Sequence, residues 1–447
     1  MPSPSEPPVI TAFINTVLPN VGGLLALSAA VQLALDAAPG ILTKETPPIL
    51  DAESFITWMT AFLQWVPVET TNATQVLQKI CAFYFILDQV PLLLSQTPIS
   101  PNSVGNSLTI LSSWIVEYAQ AVGAFMDTPD SLTLESFQTL NDSKLYRVWE
   151  SESPDGSGYS SFNEFFSRKL AKPRIVDSPG DNTVPVYPAD SLFADAYSID
   201  EGGNIWVPRG NTLFASAKHR QQQRGHTGGI RTINDFKGWT WSIGALLKGS
   251  LFASSFAGGV WVHSFLSTYN YHRIHSPVSG QVVDAGVIQN AAYLDVVATD
   301  YGDILPRHMK VMGTNLSMEV DAEDKTGYHF LQTRGYVVIN SGQNGRGGVG
   351  LVAVLPIGMA QVSSIVLTVQ PHDEVEKGDE IGYFQFGGSD VVTVFQANSM
   401  FSADHDGFNR ETSVDEEGEP LPYTFYGSPL FKEASRKVGG RVGVDLG

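Results

Sequence analysis

The sequence predicts an α+β fold, with an N-terminal helical domain over residues 1–150 followed by an antiparallel β-rich domain over residues 151–447. Three observations carry this reading. Apolar residues recur at helical spacing from about residue 10 to residue 145. After Pro173 the texture changes to short β-branched and aromatic runs separated by Gly, Pro, Asn and Asp. Between the two lies Ser151–Tyr159, whose Ser, Gly, Pro and Asp content is that of a linker. With 447 residues, 43% of them hydrophobic and 16% charged, the chain can bury a large core and is not disordered.

Taken in order, residues 1–9 are rich in Pro and Ser and read as loose. Val21–Ala38 is rich in Leu and Ala but carries Gln32 and Asp36. It falls short of the ~20 apolar residues of a membrane span, so a packed helix is expected. Phe55, Trp58, Met59, Phe62, Trp65 and Val66 form one apolar stripe. Val76–Leu94 and Leu108–Met126 repeat the pattern on either side of the breaker Thr97–Ser103. Ser161–Leu170 reads as a short amphipathic helix with a capping box from Ser161 to Glu164. Strands are expected at Val184–Tyr187, Val260–Phe265, Gln281–Ile288, Tyr336–Ile339, Leu351–Leu355, Ser363–Val369, Ile381–Phe386 and Val391–Gln396, with a helix at Trp241–Leu247. Phe401–Tyr423, with Asp415, Glu416, Glu417 and Glu419, reads as a solvated polar loop.

Charge narrows the partners. The 27 Lys and Arg against 46 Asp and Glu leave a net charge of −19, which repels nucleic acid and anionic lipid, so neither partner is expected. The single cysteine, Cys81, excludes internal disulfides and a multi-cysteine metal site. No Lys or Arg precedes Lys44, so a basic secretory n-region is not read and a cytoplasmic location is expected.

The chemistry concentrates late in the chain. Gly387-Gly388-Ser389 lies between the strand-like runs Ile381–Gln385 and Val391–Phe395. It reads as a tight turn, or as a serine placed to attack the carbonyl before it. His272 and His275 are three apart and would share a face on a helix, where they could bind metal. Pro277 follows closely and no third ligand is evident, so no metal is expected. His263 sits in a strand and reads as structural, while His219, His226, His308, His329, His372 and His405 have no motif around them.

Several stretches, in one order, resemble the phosphatidylserine decarboxylase family. They are Phe162–Leu170, Pro188-Ala189-Asp190, Gly258–Ser267, Tyr271–Gly280, Gly358–Ile365 and Val375–Phe384, spanning about residues 160–395 with the Gly-Ser site. The chain departs from the family's usual Leu-Gly-Ser-Thr by Gly387 and Asp390, and Ser191 follows Asp190 where Gly is common. The resemblance implies a proenzyme that cuts itself between Gly388 and Ser389. His275, polarised by Asp190, would deprotonate Ser389. Ser389 would become a covalent pyruvoyl group, the cofactor, which takes the substrate amine as a Schiff base and acts as electron sink for decarboxylation. His272 would protonate the resulting carbanion or hold the substrate carboxylate.

The helical N-terminal part resembles that of soluble fungal relatives acting on free aromatic amino acids. A free aromatic L-amino acid such as tryptophan is therefore the expected substrate, with phosphatidylserine the alternative. Trp239, Trp241 and Phe265 are candidates for an aromatic pocket, although core packing accounts for each more simply. Resemblance also implies a homo-oligomer of cleaved large and small chains. From the residues alone two other readings stay open, a non-enzymatic β-rich binding module and a metal-dependent hydrolase using His272 and His275.

Overall fold

The structure is a computed structural model that describes residues 6–208, 238–299, 302–306, 310–311, 318–319, 327–342, 348–359, 365–397, 401 and 407–432. Helices dominate the first third: α1 Gly23–Ala37, α2 Ala52–Phe62, α3 Gln75–Leu87, α4 Ile110–Met126 and α5 Leu134–Asp142. The starts of α2, α4 and α5 are written in the sequence. The Asp51 carboxylate accepts the Ser54 N–H while Ser54 Oγ accepts the Asp51 N–H, and the Thr109 and Thr133 hydroxyls accept the N–H groups of Ser112 and Ser136. Phe55, Trp58, Met59 and Phe62 bury the predicted stripe. The run expected over Val76–Leu94 splits. After α3 a separate turn forms at Val90–Leu93, because Pro91 has no N–H to continue a helical ladder. No single helix among the described residues is long and apolar enough to cross a membrane. Pro8–Asn20 and Gly23–Ala37 pass that test only as a pair, bent by 98°.

Helix α6, Phe162–Phe166, is shorter than predicted. Ser161 Oγ accepts the Glu164 N–H, but the Glu164 carboxylate takes the Ser160 N–H rather than closing the box on Ser161. Beyond α6 the chain turns inward. Arg168 Nη2 donates to the carbonyls of Tyr146, Tyr269 and Asn270, and Leu170 bridges to Ser151.

The β-rich part supplies β1 Leu192–Ser198, β2 Val260–Leu266, β3 Arg273–His275, β4 Gly280–Ile288, β5 Arg334–Asn340, β6 Leu351–Met359, β7 Ile365–Leu367, β8 Glu374–Val375, β9 Glu380–Phe384 and β10 Gly388–Phe395. Seven of them form an antiparallel sheet in the order β1-β2-β10-β6-β5-β4-β8, and β7-β9-β3 form a second. The last strand among the described residues is thus internal to the large sheet. Differences from expectation are local. Val184–Tyr187 contributes only a bridge from Val186 to Pro429. Trp241 lies in the strand Gly238–Ser242, and the helix beyond it shrinks to Ile243–Leu246. Residues 363–364 of the run expected at Ser363–Val369, with His219, His226, His308 and His405, lie outside the described residues.

In the middle of the large sheet both faces are buried, following the two-residue alternation of a strand. Val391 of β10, Val354 of β6 and Val337 of β5 join the helices in one core that also holds Phe55, Phe83 and Tyr118. Val392, Val394, Ala353, Leu355 and Val338 face a second core with Trp241, Leu246, Phe256 and Trp261. The helical and β-rich parts share the first core without a break. That continuity sets the helices directly behind the start of β10.

Candidate active site

Strand β10 begins at the Gly-Ser pair. Gly388 registers with Met359 and Ser389 with Gly358 on one side, and Ser389 registers with Leu266 on the other. The serine is therefore gripped by two neighbouring strands and wholly buried. Gly387, just before the strand, has φ +146°, a backbone region that side chains disfavour. This accounts for glycine at a position where the resembling family has an apolar residue.

The turn before the strand is held from the helical side. Asn163 Oδ1 accepts the Phe386 N–H at 2.8 Å, while Asn163 Nδ2 donates to Asp127 Oδ1 at 2.8 Å. Gln385 Nε2 reaches the same Asp127 oxygen at 3.1 Å. The Phe386 ring sits among Trp65, Phe162 and Phe166. Replacing Asn163 by alanine leaves a buried N–H without its acceptor and frees the turn. Self-cleavage is expected to slow by about tenfold, corresponding to roughly 1.4 kcal/mol of lost positioning. A time course of chain cutting after synthesis checks this.

His272 Nδ1 lies 3.1 Å from Ser389 Oγ, and His272 Nε2 lies 3.3 Å from the Thr268 carbonyl oxygen. A carbonyl only accepts, so Nε2 carries the proton and Nδ1 presents its lone pair to the serine hydroxyl. Phe166 stacks on the imidazole with ring centroids 3.9 Å apart. Burial, with the Arg168 charge adding to it, pushes the His272 pKa down to about 3. The ring is therefore neutral and basic in form at neutral pH.

His275 points elsewhere. Its Nδ1 donates to the Gly378 carbonyl at 2.7 Å, its Nε2 lies 3.1 Å from the Tyr271 hydroxyl, and Tyr426 stacks on its ring. Burial lowers its pKa to about 4. Asp190 Oδ2 pairs with Arg174 at 2.9 Å and Oδ1 accepts the Tyr426 N–H at 2.9 Å. Burial raises its pKa, with Arg174 opposing. The expected chain of Ser389, His275 and Asp190 is thus not the one assembled. His272 lies on the serine, and Asp190 reaches His275 only through Tyr426, whose backbone it binds and whose ring covers the imidazole. The physical reason is the strand. Residues three apart share a helix face but lie on opposite faces of an extended chain, and β3 runs Arg273–His275. Arg273 fixes that strand by donating from Nη1 to both Glu380 oxygens at 2.7 Å. Among the predicted aromatic residues, Trp241 stacks on Phe330 in the second core rather than facing Ser389.

The titrations have a direction. An unfolded histidine binds its proton near pH 6.5, whereas folded His272 and His275 do so only near 3 and 4. Between these values the unfolded chain holds more protons, so the histidine contribution to stability falls as pH drops from about 6.5 toward 4. The denaturation midpoint is expected to be lower at pH 5 than at pH 7. With neutral His272 as the base, the rate of self-cleavage is expected to show no acid limb near 6.5.

These features define a class: a buried serine at the start of a strand, with a neutral imidazole on its hydroxyl, has the parts of an activated serine nucleophile. The sequence profile described as phosphatidylserine decarboxylase matches residues 162–414. The chain belongs to the phosphatidylserine decarboxylase family, whose members are pyruvoyl-dependent decarboxylases. It is 31% identical over 245 residues to phosphatidylserine decarboxylase proenzyme 3 of Schizosaccharomyces pombe, covering 54% of this chain and 19% of that one. It is 27% identical over 248 residues to the Clostridium novyi phosphatidylserine decarboxylase proenzyme, covering 55% and 63%. It is 26% identical over 310 residues to decarboxylase iboD of Amanita muscaria, covering 64% and 75%. The chain thus spans about a fifth of the length of the Schizosaccharomyces pombe relative and three quarters of the Amanita muscaria one.

Proposed function

We propose that this chain is a self-processing pyruvoyl-dependent decarboxylase of a free amino acid, of the aromatic class. The observation that carries the processing step is the His272 Nδ1 to Ser389 Oγ contact of 3.1 Å beside a glycine carbonyl. Ser389 Oγ passes its proton to His272 and attacks the Gly388 carbonyl carbon. The C–N bond between the two residues breaks, an ester forms on Oγ, and the freed amine takes up the proton. Loss of the Ser389 Cα proton then breaks the Cβ–Oγ bond, Gly388 leaves as a carboxylate, and residue 389 becomes dehydroalanine. Water hydrolyses this, releasing ammonia and leaving a pyruvoyl group.

That group supplies the electron sink needed when a carboxylate leaves as CO₂. The site residues fit it, because the serine that forms it is locked between two strands and wholly buried. Once the serine hydroxyl is gone, the bare Nδ1 of His272 is the nitrogen that takes up a proton and passes it on at residue 389. Phe166 and Phe384 pack on His272, and Phe386 packs on Phe166 behind them, a set of rings that excludes water.

Three observations support a free amino acid with an apolar side chain. The rings around His272 offer it an apolar surrounding, the net charge of −19 opposes anionic lipid surfaces, and the match to a relative named simply a decarboxylase takes in more of this chain than the two phosphatidylserine decarboxylase matches. Phosphatidylserine is the second reading, favoured by the names of the other relatives. Release of CO₂ from tryptophan, tyrosine and phenylalanine, against phosphatidylserine vesicles, separates them. Turnover of the vesicles alone would overturn the free amino acid.

A further inference from the structure

On the opposite face of β10 from Ser389 three donors converge that no spacing in the sequence brings together. His263 comes from β2, Asp390 from β10, and His329 from the short turn Tyr328–Phe330. All three are fully buried. We propose that His263, His329 and Asp390 bind a divalent cation of the zinc type.

The topology accounts for the convergence. Val392 registers with His263 and Asp390 with Phe265, so Asp390 and His263 share one sheet face two positions apart, while Ser389 looks the other way. His263 Nε2 lies 3.2 Å from Asp390 Oδ1, and His329 Nε2 lies 3.6 Å from Asp390 Oδ2. One ligand atom from each of the three side chains falls within 4.8 Å of the others. Metal bonds of ~2.0–2.2 Å in a tetrahedral shell put neighbouring ligand atoms about 3.4 Å apart, close to the spacing of each histidine from its own oxygen of the carboxylate. The Tyr328 hydroxyl donates to Asp390 Oδ2 at 2.7 Å, the kind of outer hydrogen bond that orients a ligating carboxylate. Two imidazoles and one carboxylate suit zinc and its neighbours better than calcium or magnesium, and a buried carboxylate is well matched by a cation. Three protein ligands leave a fourth position for water.

The role of the site rests on the self-cleavage proposed above. After a cut before residue 389, Asp390 is the second residue of the shorter chain, and both histidines belong to the longer one. A cation there joins the two chains one residue from the new N-terminus. Aspartate at 390, where the resembling family has threonine, is what supplies the third ligand.

The test is metal analysis by mass spectrometry on protein purified without chelator from zinc-supplemented medium. It is run on the wild type and on the uncut Ser389→Ala variant. About one equivalent per chain is expected in both, falling at least tenfold in Asp390→Asn. Since that variant could fail to fold, chelator-stripped wild type and His329→Cys are also titrated with Co²⁺. Visible ligand-field bands are expected in both, with an added thiolate charge-transfer band in the cysteine variant. Absence of metal from wild type and Ser389→Ala together with no cobalt bands overturns the site. That outcome in a cut protein sinks the site alone, whereas metal in an uncut wild type supports the site and sinks the cleavage reading.

Discussion

Replacing Ser389 by alanine is expected to abolish cutting, leaving one chain of 447 residues where the wild type gives residues 1–388 and 389–447. The expectation follows from position and chemistry together. Ser389 carries the hydroxyl that His272 holds at 3.1 Å, and its own N–H belongs to the bond to be broken. No neighbouring group can substitute, because attack needs an oxygen two carbons from that amide nitrogen, which closes a five-membered ring on the carbonyl carbon. Alanine fits the same strand position, paired with Gly358 and Leu266, so the fold is expected to persist. Intact mass spectrometry reads the result directly, and a pyruvoyl start on the shorter wild-type chain is the companion signature. A cut alanine variant would place the nucleophile elsewhere.

The second large effect is expected at His272. A positioned base contributes ~10²–10⁴-fold, so His272→Gln is expected to slow cutting by about that factor. Glutamine keeps a polar group under Phe166 but has no nitrogen lone pair to take the proton. His275→Gln is expected to slow cutting far less, because the His275 nitrogens face Gly378 and Tyr271. Rates of chain cutting for the two variants, measured side by side, decide between them. The reverse ranking would make His275 the base and would require β3 to rearrange before the reaction.

What could be read in advance divides along physical lines. The stripe of Phe55, Trp58, Met59 and Phe62 was legible because helical periodicity is local and all four are buried as it demands. The split at Pro91 was as local, yet the apolar run around it hid it. The Gly-Ser site was legible from its neighbours and its family resemblance. Which histidine faces Ser389 was not, because that depends on β3 being extended and paired to β9, not helical. The partner of Asp190 is Arg174, and no local pattern links them across the turn between. Asn163 and Thr268 escaped notice for a different reason. One acts through an amide and the other through a backbone carbonyl, and neither residue type announces a role.

The place of β10 inside the large sheet, between β2 and β6, bears on the lifetime of a cut molecule. Before cutting, one polymer holds all the instructions for its own folding. Afterwards the middle of the sheet belongs to a fragment that no peptide bond ties to the rest. Such a molecule can unfold once but must then find its partner by diffusion, against aggregation of two exposed sheet edges. The uncut serine variant is expected to refold from denaturant, and the mature form to recover poorly. Ageing of the mature form would then be governed by how fast it opens, rather than by its equilibrium stability.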